Sequence, residues 1–227
     1  MRKFWGFYDN EKYRVGCDGQ TIYVYNQQDV ELAKFRDIDY AYHGAFQPGT
    51  NIFAAKSTTG KLAVYDLDKL ALITKFRFGC DGAQDHGFAF TPDGKEFYNI
   101  LYMPSLQTKL TIYDTVDFSL KETLFADRKD LHLDEIEFDA DAGEWYILGY
   151  TRGSQGCYNF GFIGRLADGT IADMKRMDRQ RYDYLKDYKT WQRTGFTEKA
   201  YQWSGLKLAG YEPIIHKISL RDEYELL

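Results

Sequence analysis

Three of the four histidines lie beside carboxylates. His43 lies in "DIDYAYHG" with Asp37 and Asp39, and His86 lies in "CDGAQDHG" with Asp81 and Asp85. His132 lies in "RKDLHLDEIE" with Asp130, Asp134 and Glu135. Neutral imidazoles and carboxylates are groups that divalent metals take readily. The same groups can move protons or hydrogen-bond a polar ligand. They can equally bond neighbouring backbone at loop-to-strand junctions and hold elements in register. On this pattern we expect His43, His86, His132, Asp85, Asp134 and Glu135 to bind a ligand. We assign no catalytic residue, no metal ligand and no cofactor.

The elements that must position these histidines repeat. Each histidine precedes a phenylalanine, Phe46, Phe90 or Phe138, at intervals of 44 and 48 residues. Each phenylalanine opens a strand-turn-strand pattern: "AFQPGTNIFAAKS", "AFTPDGKEFYNILY" and "EFDADAGEWYILGY". A third strand follows in "TIYVYN", "KLAVYD", "KLTIYD" and "NFGFIGRLADGT", then a fourth in "VELAKF", "ALITKF", "SLKETLF" and "IADMKRM". The Asp or Asn that ends the third strand is suited to bond its own backbone and start the next turn. An all-β period in the forties is the mark of propeller blades. The expected fold is therefore an all-β, single-domain β-propeller of four-stranded antiparallel blades. Five blades fall at about 1–38, 40–80, 84–127, 133–177 and 185–227, and the rival arrangement is four blades followed by a C-terminal appendage. An irregular, partly helical segment is expected near 178–200, where Tyr182, Leu185, Tyr188 and Trp191 are spaced like a helical face. "PIIHKISL" is expected to resume the strand pattern. In such a ring the residues entering the innermost strands gather at one mouth of the channel, which would bring the three histidines together.

The run "GFAFTPDGKEFYNILYM…LTIYDTVDFSLKETL" resembles a repeat of the YVTN type and, more loosely, the WD-repeat type. The resemblance covers about residues 40–125 and rests on the Pro-Asp-Gly turn and the Tyr-Asp strand end. It implies a β-propeller. No Trp-Asp pair occurs anywhere in the chain.

Composition narrows the function classes. The net charge of -5 argues against nucleic acid as the partner, because phosphate binding needs a concentrated basic surface. "KRMDRQR", Lys175 to Arg181, reads as a solvated loop. No run approaches the roughly 18 apolar residues of a membrane helix. Cys17, Cys80 and Cys157 are odd in number and lack metal-type spacing, which fits free thiols in a cytoplasm. No phosphate-binding glycine loop and no Gly-x-Ser-x-Gly nucleophile motif is present.

The chain is rich in aromatics, with 19 Tyr, 16 Phe and 4 Trp. Most of them suit packing on pleated sheets. Trp191, Phe196, Tyr201 and Trp203 cluster where the repeat fades, and we expect them to form a partner-binding patch. The leading expectation is a cytoplasmic, non-enzymatic binding module whose partner is a protein or a small polar ligand. The alternatives are a metal-assisted hydrolase, lactonase or lyase at the histidines, and a lectin-like sugar binder at the aromatic cluster.

Overall fold

A computed structural model describes residues 4–77, 85–103, 107–198, 200 and 213–227. Among these residues the protein is all-β apart from two helices and the helical residues Glu198 and Ala200. Sixteen strands form four separate four-stranded antiparallel sheets, each built in simple chain order. The first sheet is β1 (Gly6–Asp9), β2 (Tyr13–Cys17), β3 (Ile22–Asn26) and β4 (Glu31–Phe35). The second is β5 (Ala41–Phe46), β6 (Ile52–Ser57), β7 (Lys61–Asp66) and β8 (Ala71–Arg77). The third is β9 (Phe88–Phe90), β10 (Glu96–Tyr102), β11 (Thr108–Asp114) and β12 (Leu120–Leu124). The fourth is β13 (Leu131–Asp139), β14 (Glu144–Arg152), β15 (Tyr158–Ala167) and β16 (Thr170–Met177). Helices α1 (Arg179–Gln192) and α2 (Leu220–Leu226) follow.

Side-chain chemistry accounts for this pattern. The third strands bury consecutive residues, Ile22 to Tyr25, Leu62 to Tyr65 and Leu110 to Tyr113, so both faces of each are covered. The fourth strands β4, β8 and β12 are mostly exposed and carry Glu31, Lys34, Lys75, Arg77, Lys121 and Glu122. Charge on an edge strand discourages pairing with another chain. The expected turn chemistry is present. Asn26 Oδ1 accepts from the Gln28 and Val30 amides, Asp66 Oδ1 from Asp68 and Lys69, and Asp114 Oδ1 from Val116.

The chain divides into two compact units. One comprises Met1–Phe78 and Trp191–Lys217. Here the first and second sheets pack through Val15, Ile22, Val24, Phe53, Ala55 and Tyr65. A second cluster covers the other face of the first sheet, with Phe196, Ala200 and Ile214 against Phe4, Phe7, Tyr23 and Tyr25. The other unit comprises Gly79–Thr190 and Ile218–Leu227. Its third and fourth sheets pack through Ile100, Leu110, Leu131, Leu133, Ile147 and Phe162. Tyr182 and Leu185 of α1 and Leu220 of α2 cover Tyr146, Leu148 and Ile163 of the fourth sheet. Each fully buried aliphatic or phenylalanine side chain in these layers contributes about 1.5–3 kcal/mol.

Three expectations need correction. Among the described residues no strand follows β16, and α1 and α2 occupy the described ends of the fifth blade expected at 185–227; residues 199 and 201–212 of that span lie outside the described residues. Ser219 caps α2, its side chain accepting from the Arg221 and Asp222 amides, so "ISL" leads into a helix instead of continuing a strand. Lys175 to Arg181 is not a solvated loop. It ends β16 and starts α1, with Lys175 over the Tyr224 ring, Arg176 over Phe160 and Arg179 over Tyr158. The partly helical segment expected near 178–200 is present as α1. No helix among the described residues is long and apolar enough to cross a membrane.

Candidate functional site

The site lies in the second unit, where the lead-in to β9 meets β13. Antiparallel pairing sets His132 opposite Tyr150 of β14. The two rings stack at 4.6 Å between centroids, as cross-strand partners on one face do. The β13–β14 register then shifts between Leu133 and Glu135, which leaves Asp134 as a bulge residue. A bulge frees its residue from the ladder and re-aims it. The Asp134 carbonyl accepts from the Gly87 amide at 2.7 Å, tying β13 to the segment that carries His86. The Leu133 amide beside the bulge is satisfied by Thr108 Oγ1 at 2.7 Å. Gly87 permits this approach, because a Cβ there would overlap the Glu135 carboxylate and lie 2.8 Å from the Ile136 amide nitrogen.

The bulge and this clasp bring three donors together. His86 Nε2 and His132 Nε2 are 3.2 Å apart, and His132 Nε2 is 3.6 Å from Asp134 Oδ1. One ligand atom from each of His86, His132 and Asp134 lies within 4.8 Å of the others. All three residues are buried, at 8%, 7% and 4% exposure. The walls are aromatic. His86 stacks on Tyr102 at 5.4 Å, and Tyr150 meets Tyr182 edge-on at 5.7 Å.

Helix α1 completes the site. Asp178 caps it by accepting from the Arg181 amide at 2.8 Å, and one turn on Tyr182 Oη donates to Asp134 Oδ2 at 2.6 Å. Gly161 of β15 lets the helix this close, since a Cβ there would sit 2.6 Å from Tyr182 Cβ. Burial pushes the Asp134 carboxyl up, but His132, His86 and the Tyr182 hydroxyl outweigh it and hold the group below the usual carboxylate range. Burial and the adjacent Asp134 charge push the Tyr182 phenol far above its usual range, so it remains a donor. Two imidazoles and a carboxylate arranged this way can hold a cation, pass a proton or hydrogen-bond a compact polar ligand.

The remaining candidates are placed differently. His43 belongs to the first unit, lies within β5 opposite Lys56 and is buried at 4% exposure. Burial, Arg193 and Lys56 hold its imidazole well below its usual value, so it is neutral in cationic surroundings. His132 also lies within a strand, whereas the sequence pattern put both histidines in the approaches to their strands. Asp85 is exposed. Glu135 is buried, and its Oε1 accepts from the Ile136 amide at 3.1 Å, so it braces the backbone next to the site.

Within the aromatic cluster, Phe196 is 1% exposed and packs on Phe4, Phe7, Tyr23 and Tyr25, so its ring serves the core of the first unit. Trp191 is partly buried near the end of α1. Tyr201 and Trp203 lie outside the described residues. Sequence reasoning missed Tyr182 as part of the site, although it had placed that residue on a helical face. It also missed Tyr102, Tyr150, Gly87 and Gly161. No protein-family model and no curated protein matches the sequence.

Proposed function

We propose that this chain is a non-enzymatic, β-propeller-like binding module working in a cytoplasm, with a small polar ligand taken at His86, His132 and Asp134. The propeller reading is supported by the 44- and 48-residue period and the four like sheets. The cytoplasmic reading is supported by Cys17 and Cys157, both free thiols. One observation carries the ligand site: two imidazole Nε2 atoms 3.2 Å apart beside a buried carboxylate. Titratable groups converging inside an aromatic wall are the usual make-up of a ligand site.

The test is a thermal-shift panel of malonate, succinate, inorganic phosphate and glucose on the full chain, run with chelator and again with Zn(II). At least one compound raises the melting temperature of the wild type and leaves Asp134→Asn unmoved. A panel that moves neither protein, or moves both alike, removes this site from the reading. A protein partner is the other occupant the reading allows.

A second reading, a metal-assisted hydrolase, is favoured by the composition of the donor set. Two imidazoles and one carboxylate are ligands that can activate a bound water. Zn(II)-dependent hydrolysis of p-nitrophenyl acetate that Asp134→Asn abolishes would promote it over the binding module.

A further inference from the structure

We propose that His86 Nε2, His132 Nε2 and Asp134 Oδ1 are ligands to one divalent transition-metal ion of the zinc class, an inference that rests on the ligand site above. Charge is the first argument. Asp134 is 4% exposed, and a buried carboxylate needs a compensating cation. No lysine or arginine among the described residues forms an ion pair with it; its one such partner is His132, at 3.6 Å. A divalent ion on the two imidazoles would supply a fixed positive charge beside this carboxylate.

Distance is the second argument. A zinc–nitrogen bond of about 2.0–2.1 Å sets the edge of a tetrahedral site at about 3.3–3.4 Å. The 3.2 Å between the imidazole nitrogens and the 3.6 Å from His132 to Asp134 both fall close to that edge. A metal-free histidine pair sharing a proton would also sit at 3.2 Å, and the Co(II) titration below separates the two arrangements.

The third argument is the shell behind the ligands. Tyr182 Oη donates to Asp134 Oδ2, the oxygen that Oδ1 leaves free, and so orients the carboxylate. Each imidazole is fixed by a stacked tyrosine, His86 by Tyr102 and His132 by Tyr150. Nitrogen donors with one carboxylate favour zinc-class ions over magnesium or calcium, which prefer all-oxygen sites. The described residues supply three of four tetrahedral positions, so a small polar molecule can complete the shell. Tyr182 is a positioning residue here, not a ligand.

The experiment uses the full chain, stripped with EDTA and titrated with Co(II), then Zn(II). We expect about one Co(II) per chain, the visible d–d bands of a tetrahedral ion, and displacement by Zn(II). His86→Asn and Asp134→Asn each weaken binding by about 100-fold or more, with far-ultraviolet dichroism unchanged. Tyr182→Phe weakens it by roughly 10–100-fold, the usual cost of losing a partner behind a ligand, and shifts the Co(II) bands. Long-range ¹H–¹⁵N correlation on the wild type keeps the test decisive if a variant misfolds: both Nε2 resonances move when Zn(II) is added. A folded wild type without Co(II) bands, unmoved Nε2 resonances, or equal binding by the variants overturns the metal. If the metal fails while the chelator-treated panel still shows a shift that Asp134→Asn abolishes, the polar-ligand reading stands without it. If both fail, both fall.

Discussion

Tyr182 Oη donates a 2.6 Å hydrogen bond to Asp134 Oδ2, joining a helix to a strand residue 48 positions earlier. Each partner explains the other. The carboxylate is buried and ionised, and the phenol beside it stays protonated. Tyr182→Phe keeps the ring in its cluster with Tyr146, Leu148 and Leu185 and removes only the donor. We expect a loss of about 1.5–3 kcal/mol, the cost of a hydrogen bond to a charged group. Urea unfolding of the metal-free chain measures it, and a loss under 0.5 kcal/mol (about the scatter of an ordinary surface substitution) would contradict the pairing.

Gly161→Ala tests the approach of α1 from the other side. The added Cβ meets Tyr182 Cβ at 2.6 Å, and overpacking of this kind costs about 1–3 kcal/mol. Gly153→Ala is the control, because its Cβ would have nothing nearer than Cys157 O at 3.9 Å. The control should stay within about 0.5 kcal/mol of wild type. Equal denaturant midpoints for the two variants would show that the helix does not depend on Gly161.

His43 gives the first unit a pH dependence. Its folded-state value is depressed from the usual 6.5 by burial, Arg193 and Lys56, so below 6.5 the unfolded chain binds the extra proton. Stability from this group is whole above pH 6.5 and falls as the pH drops towards the folded value. His43→Gln should flatten that fall. The measurement is the difference in unfolding free energy between wild type and variant from pH 7.5 to 5. A difference that does not change with pH rules His43 out as its source.

The two described thiols should react unequally. Cys157 is exposed, whereas Cys17 is fully buried, and burial together with Asp18 pushes its thiol far above the usual range. In a Cys80→Ser background, a thiol-reactive chromophore should label one cysteine in the native state and a second only on unfolding. Fast labelling of both would mean that Cys17 is not shielded by β3 and β5.

The sheets were legible in the sequence because their signals are local. Tyr25, Tyr65 and Tyr113 mark the buried third strands, and Asn26, Asp66 and Asp114 close the turns after them. Helix α1 was legible for the same reason, through the spacing of Tyr182 and Leu185. Helix α2 had a readable start in Ser219 and Asp222, a cap three residues ahead of an acid, that the apolar run "PIIHKISL" obscured. The site was legible only as residue types. That Asp134 is the bulged residue, and that its carbonyl reaches the Gly87 amide, depends on pairing between segments 47 positions apart. His43, with the same local signature, settled between Lys56 and Arg193, and nothing in its neighbourhood distinguished it.

The division of the chain sets an order for its synthesis. Residues 191–217 belong with the first two sheets, and residues 218–227 return to the last two. As the polypeptide emerges from a ribosome, the first sheet is complete by about residue 35, yet Phe4, Phe7, Tyr23 and Tyr25 wait for Phe196 and Ala200. An aromatic surface made early and covered late is open to wrong partners in the interval. Nascent chains stalled before residue 196 should therefore recruit holdase chaperones, and release of the covering segment should end that need.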